Sequence, residues 1–148
     1  MDLLLLNGPN LNRLGKREPD IYGHETLGDI ETRIHTLCMD HNVGLSCFQS
    51  NHEGALIDRI HQAADEGVFG IVFNPGAFTH TSVAIRDAIA SVNLPVVEVH
   101  ISNIHNRESF RQNSMLAPVC AGQISGLGTD GYELGALALI RRMERERE

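Results

Sequence analysis

Apolar residues in this chain fall into short, nearly unbroken runs, separated by longer stretches in which they recur every three or four positions. Residues 2–6, 43–49, 68–73 and 96–99 are the runs. Runs of that length with few polar positions predict strands buried on both faces. Between them, Leu27, Ile30, Ile34, Leu37, Cys38 and His41 keep helical spacing, with Thr26 and Asp29 placed to form a capping box. Leu56, Ile57, Ile60, Ala63 and Ala64 do the same after Ser50 and Glu53, a second candidate box. Val83, Ala84, Ala88 and Ile89 mark a third helix, and residues 130–142 a last one. Residues 102–106 read as loop, 107–113 as a helical turn and 118–121 as a fifth, short strand. This alternation predicts a parallel sheet covered by helices on both faces.

In such a sheet, ligands gather beyond the carboxyl ends of the strands. The polar segments 7–22, 74–80 and 100–111 all follow predicted strands. Three distant stretches therefore converge on one candidate pocket.

Composition narrows the function classes. A chain of 148 residues that is 42% hydrophobic suits one domain with a real core. A net charge of −7 argues against nonspecific binding to nucleic acid or to acidic membranes, which needs basic surface. No run approaches the roughly 18 apolar residues of a membrane span, and the charged start at Asp2 fits neither a secretory signal nor an anchor. Three cysteines, Cys38, Cys47 and Cys120, lie far apart and are expected as small buried groups in a reducing cytoplasm.

The candidate chemistry lies in the converging segments. Tyr22, one of two tyrosines, shares a glycine- and proline-punctuated loop with Arg13, Lys16 and Arg17. Neighbouring guanidinium groups favour a tyrosinate, which makes Tyr22 a candidate base. Glu98 and His100 share a strand face by the two-residue period, so the carboxylate can fix the imidazole tautomer and make His100 a general acid. A hydrogen-bonded strand-end histidine fits that pair equally well. Asn10 can stabilise an oxyanion, Asn74 and His80 can bind hydroxyls, and Arg111 can hold an oxygen-rich anion. Taken singly, each also fits a turn, a cap or a structural ion pair.

Several motifs fall away. Residues 126–131 formally match GxGxxG but come too late for a dinucleotide fold. The histidines lack compact metal-ligand spacing, so neither metal nor cofactor is expected, and no serine sits in a nucleophile elbow. Lys16, the only lysine, lies in a polar loop rather than in the apolar pocket a Schiff-base amine requires.

The segment 7–15 with Arg17-Glu18-Pro19 and Tyr22-Gly23 resembles the opening signature of the type II 3-dehydroquinate dehydratases. The resemblance continues through residues 74–77 and 80–82, 98–103, Arg107-Glu108, Phe110-Arg111 and 122–132. It implies a flavodoxin-like, doubly wound, five-stranded parallel sheet in a three-layer α/β/α sandwich, assembled as a dodecamer of four trimers. The implied reaction is the dehydration of 3-dehydroquinate to 3-dehydroshikimate by anti elimination through an enolate. By the same resemblance, Tyr22 is the base, Arg17 holds it as phenolate, Asn10 positions the water that stabilises the enolate, and His100 protonates the departing hydroxyl. Asn74, His80 and Arg111 bind ring hydroxyls, Ile101 and Ser102 hold the carboxylate, and Asp87 reaches a neighbouring subunit's site. Residues 9–23 form the lid and 143–148 a frayed tail. A polyol-binding module without catalysis and an assembly scaffold are the two readings from other classes.

Overall fold

The computed structural model describes residues 1–16 and 18–148, without the side chains of Ile21 and Tyr22. In chain order the elements are β1 (Asp2–Asn7), α1 (Pro19–Tyr22), α2 (Leu27–Asp40), β2 (Gly44–Gln49), α3 (Glu53–Glu66), β3 (Gly70–Asn74), α4 (Val83–Ser91), β4 (Val96–His100), β5 (Gly122–Ser125) and α5 (Asp130–Glu146). Every strand pair is parallel, and the order across the sheet is β2-β1-β3-β4-β5. This is the flavodoxin-like, doubly wound arrangement, with its switch point at the carboxyl ends of β1 and β3.

The two faces of the sheet explain the unbroken apolar runs. Leu3 and Leu5 of β1 join Val72, Val97 and Val99 beneath the apolar sides of α2 and α5. Leu4 and Leu6 point the other way and join Ile71, Phe73 and Val96 beneath α3 and α4. All four leucines are fully buried, each contributing roughly 1.5–3 kcal/mol of transfer free energy. A strand buried on both sides has no polar face to reveal its period.

The capping box of α2 forms as expected: the Asp29 backbone donates to Thr26 Oγ1 at 3.1 Å, and the Thr26 backbone donates to Asp29 Oδ2 at 3.0 Å. The second box does not form, because α3 starts from His52 and Glu53 is engaged elsewhere. The Glu53 carboxylate accepts a 2.5 Å hydrogen bond from Ser82. Ser82 in turn caps α4 through the Ile85 backbone at 2.9 Å.

Two further expectations need correction. Residues 118–121 are not the fifth strand: Ala117–Val119 is a 3₁₀ turn, and the strand is Gly122–Ser125. As an edge strand with Gly122 and Gln123 exposed, it carries no apolar run to signal it. The final helix also outlasts its expected end, continuing to Glu146. Met143 extends the buried stripe of Ala136, Leu139 and Ile140 at helical spacing, so residues 143–146 are helix rather than tail.

The described residues of segment 9–23, expected as a lid, include a 3₁₀ turn at Leu11–Arg13 and the single turn α1. Leu11 and Leu14 anchor it in the core. Among the described residues, no helix is long and apolar enough to cross a membrane.

Candidate active site

Two loops leaving adjacent strands form the floor of a cavity of about 210 Å³. Gly8 follows β1 and lies so close to the loop after β3 that a Cβ there would meet the Pro75 carbonyl oxygen at 2.4 Å. Gly76 takes φ +60° against the Pro9 carbonyl, a left-handed conformation that glycine adopts at low cost. These two glycines let Asn10 and Asn74 line the same cavity. Asn10 itself has φ 71°, which asparagine tolerates better than most residues, and its backbone donates to Asn51 Oδ1 at 2.9 Å.

The opposite wall grows from the end of β4. Glu98 is fully buried and His100 is 5% exposed, on the same face of the strand. Burying an ionised carboxylate costs several kcal/mol unless donors satisfy it, and here three side chains do. His100 Nε2 lies 2.5 Å from Glu98 Oε2, Thr79 donates to Oε2 at 2.5 Å, and Ser114 donates to Oε1 at 2.9 Å. Burial pushes the Glu98 carboxyl up, yet the hydrogen bonds from His100 and Thr79 hold it below the ordinary carboxylate value. An ionised carboxylate can only accept, so His100 Nε2 carries hydrogen and Nδ1 is left as the atom that holds or gives a proton.

His80 stacks beside this pair, its ring centroid 6.4 Å from that of His100. Its Nδ1 lies 2.9 Å from the Asn113 carbonyl, an obligate acceptor, so Nδ1–H donates and Nε2 is the acceptor available to a ligand. Burial lowers the His80 pKa against the opposing pull of the Asn113 carbonyl, with His100 and Arg111 also lowering it. The net effect favours the neutral ring.

Ile101, Ser102, Arg107 and Arg111 complete the rim. Arg111 binds Glu108 at 2.7 Å and lies 5.0 Å from the Phe110 ring centre. Two guanidinium groups beside an imidazole and two amides suit a small, oxygen-rich anion.

The cavity thus gathers Asn10, Asn74, His80, His100, Ile101, Ser102 and Arg111, with Glu98 beneath. Asp87 is exposed on α4 and does not line it. Arg17 and the Tyr22 side chain, expected as activator and base, lie outside the described residues. Sequence reasoning passed over Arg107 on the rim, Thr79 and Ser114 on Glu98, and the buried Tyr132 that binds Asn74. Arg107 was the accessible one, four positions before Arg111 in the same polar segment.

Comparison with known proteins points the same way. Residues 1–140 match the family model described as dehydroquinase class II. The 3-dehydroquinate dehydratase of Anoxybacillus flavithermus is 63% identical over 142 residues, covering 95% of each chain. That of Halorhodospira halophila is 62% identical over 141 residues, again covering 95% of each. The crystal structure of type II dehydroquinase from Butyrivibrio crossotus superposes with a TM-score of 0.92 at 51% identity, covering 95% of this chain and 97% of that one.

Proposed function

The chain belongs to the class II dehydroquinase family, and on that premise we propose how its residues divide the work. The reaction is the dehydration of 3-dehydroquinate to 3-dehydroshikimate, and the enzyme is a carbon–oxygen lyase. Tyr22, as a phenolate held beside Arg17, takes the proton α to the ketone. The electron pair of that C–H bond moves to the carbonyl oxygen, and a water held by Asn10 stabilises the resulting enolate. When the enolate collapses, the C=C bond of the enone forms and the β C–O bond breaks on the opposite face. His100 supplies a proton from Nδ1, so the hydroxyl leaves as water.

A hydroxyl leaves poorly unless it is protonated, which is why acid and base are separate groups. Glu98 accepts from Nε2–H and stabilises the imidazolium form of His100, whose second proton, on Nδ1, is the one given to the hydroxyl. Asn74, His80 and Arg111 bind the ring hydroxyls, while Ile101 and Ser102 receive the carboxylate. No step changes oxidation state, and the chemistry calls for no cofactor.

The lid of residues 9–23 closes over bound substrate, bringing phenol and guanidinium together away from water. Asp87 serves a neighbouring subunit's site within a dodecamer of four trimers, in the cytoplasm. The observation that carries this reading is the meeting of a carboxylate-held histidine, two amides and two arginines in one cavity at the strand ends.

The test is direct: chelator-treated protein is mixed with 3-dehydroquinate and the ultraviolet absorbance of the enone is followed. A rising trace is expected; a flat trace from folded protein refutes the reading.

A further inference from the structure

Tyr132, the chain's other tyrosine, is fully buried in the first turn of α5 and has no part in the elimination described above. Its hydroxyl donates to Asn7 Oδ1 at 2.6 Å and lies 2.8 Å from Asn74 Nδ2. Asn7 and Asn74 are the last residues of β1 and β3 and face each other across the ladder. One phenol therefore joins the two strand ends that frame the cavity floor.

The polarity of this chain is forced. The Gly76 backbone N–H can only donate, and it lies 3.1 Å from the Asn74 side chain, so the atom it meets is Oδ1. Asn74 must then turn Nδ2 toward Tyr132. The phenol accepts there and spends its single hydrogen on Asn7 Oδ1, an obligate acceptor. Asn74 consequently has one amide orientation, and the second Nδ2 hydrogen is the donor its side chain can offer in the cavity it lines.

We propose that Tyr132 is a positioning residue for substrate binding: it never touches substrate, and it fixes the Asn74 amide in the orientation that meets a ring hydroxyl. This rests on the reading of Asn74 as a substrate-binding residue. A tyrosine serving packing alone needs its ring and not its hydroxyl. Tyr132→Phe keeps the ring, strands Asn7 Oδ1 and takes the phenol acceptor from Asn74 Nδ2, leaving the Gly76 backbone N–H as the remaining hold on that amide. An interaction made equally in the ground and transition states shows itself in KM rather than in kcat.

The experiment is a double-mutant cycle with Tyr132→Phe and Asn74→Ala, reading KM, kcat and thermal unfolding. Tyr132→Phe is expected to raise KM about 5- to 10-fold with kcat within about twofold of the parent. In the Asn74→Ala background it is expected to raise KM no further. An unchanged KM in folded Tyr132→Phe overturns the proposal, and so does a KM rise of the same size in both backgrounds. An unchanged KM in Asn74→Ala instead defeats the reading of Asn74 itself, and the role of Tyr132 falls with it. Should Tyr132→Phe fail to fold, Asn7→Ala keeps the phenol and removes only its acceptor. A KM rise in the same sense is expected there, and an unchanged KM overturns the proposal.

Discussion

The two sides of the cavity are built in different ways. On the β4 side, Glu98 and His100 sit inside a strand, and the segment after the rim is pinned to them: Ser114 donates to Glu98, the Met115 backbone donates to the Thr79 carbonyl at 2.7 Å, and Asn113 holds His80. On the side of the proposed lid, Leu11 and Leu14 are buried anchors, while Asn10, Asn12, Arg13 and Lys16 are exposed. On the β4 wall three side chains hold the Glu98 carboxylate, whereas Asn10 is tied through its backbone, donating to Asn51 and accepting from the Arg13 N–H.

That difference matches what the proposed acid and base require. An acid must hold one tautomer before substrate arrives, so a buried, fully donor-satisfied carboxylate behind it is useful at all times. A phenolate beside a guanidinium is most useful once water has been excluded, so delivering it on a closing segment fits the proposed order of events.

Substitutions can break this contrast, beginning with those expected to cost most. Tyr22→Phe removes the proposed base and His100→Ala the proposed acid; each should lower kcat about 10²- to 10⁴-fold while product still binds, as steady-state rates and calorimetry would register. Glu98→Gln leaves the imidazole in place and loses the charge that orients it, so kcat should fall roughly tenfold or more.

The same carboxylate makes an acid-stability prediction. Its folded pKa lies below the ordinary 4.5, so its contribution is fully present above that value and is lost as pH falls through the folded value. Thermal melts of the parent should therefore lose stability in that window, and the gap to Glu98→Gln should narrow there. Smallest of all, Lys16→Ala should leave kcat within about twofold, since a proton-abstraction mechanism uses no amine. Loss of all turnover in folded Lys16→Ala would point to an imine instead.

The sequence made some of this architecture legible and hid the rest for identifiable reasons. β1, β3 and β4 announced themselves as apolar runs because both of their faces are covered, and period two placed Glu98 with His100 on one face. The fifth strand escaped because an edge strand reading Gly-Gln-Ile-Ser has little apolar surface to bury. The second capping box misled because Glu53 meets Ser82, 29 positions later, rather than its own helix start. Thr79 and Ser114 gave no signal because single hydroxyls are common, and their target is distant in sequence. Tyr132 stood apart only as one of two tyrosines; its partners Asn7 and Asn74 become neighbours through strand pairing alone.

The contrast between a standing wall and a delivered one is tested most directly by backbone hydrogen exchange, measured with and without bound 3-dehydroshikimate. Slow exchange at residues 96–100 in both states is expected, with protection of residues 9–23 rising sharply only when product is bound. Equal protection of the lid in both states, or an equal gain at both walls, would contradict the account.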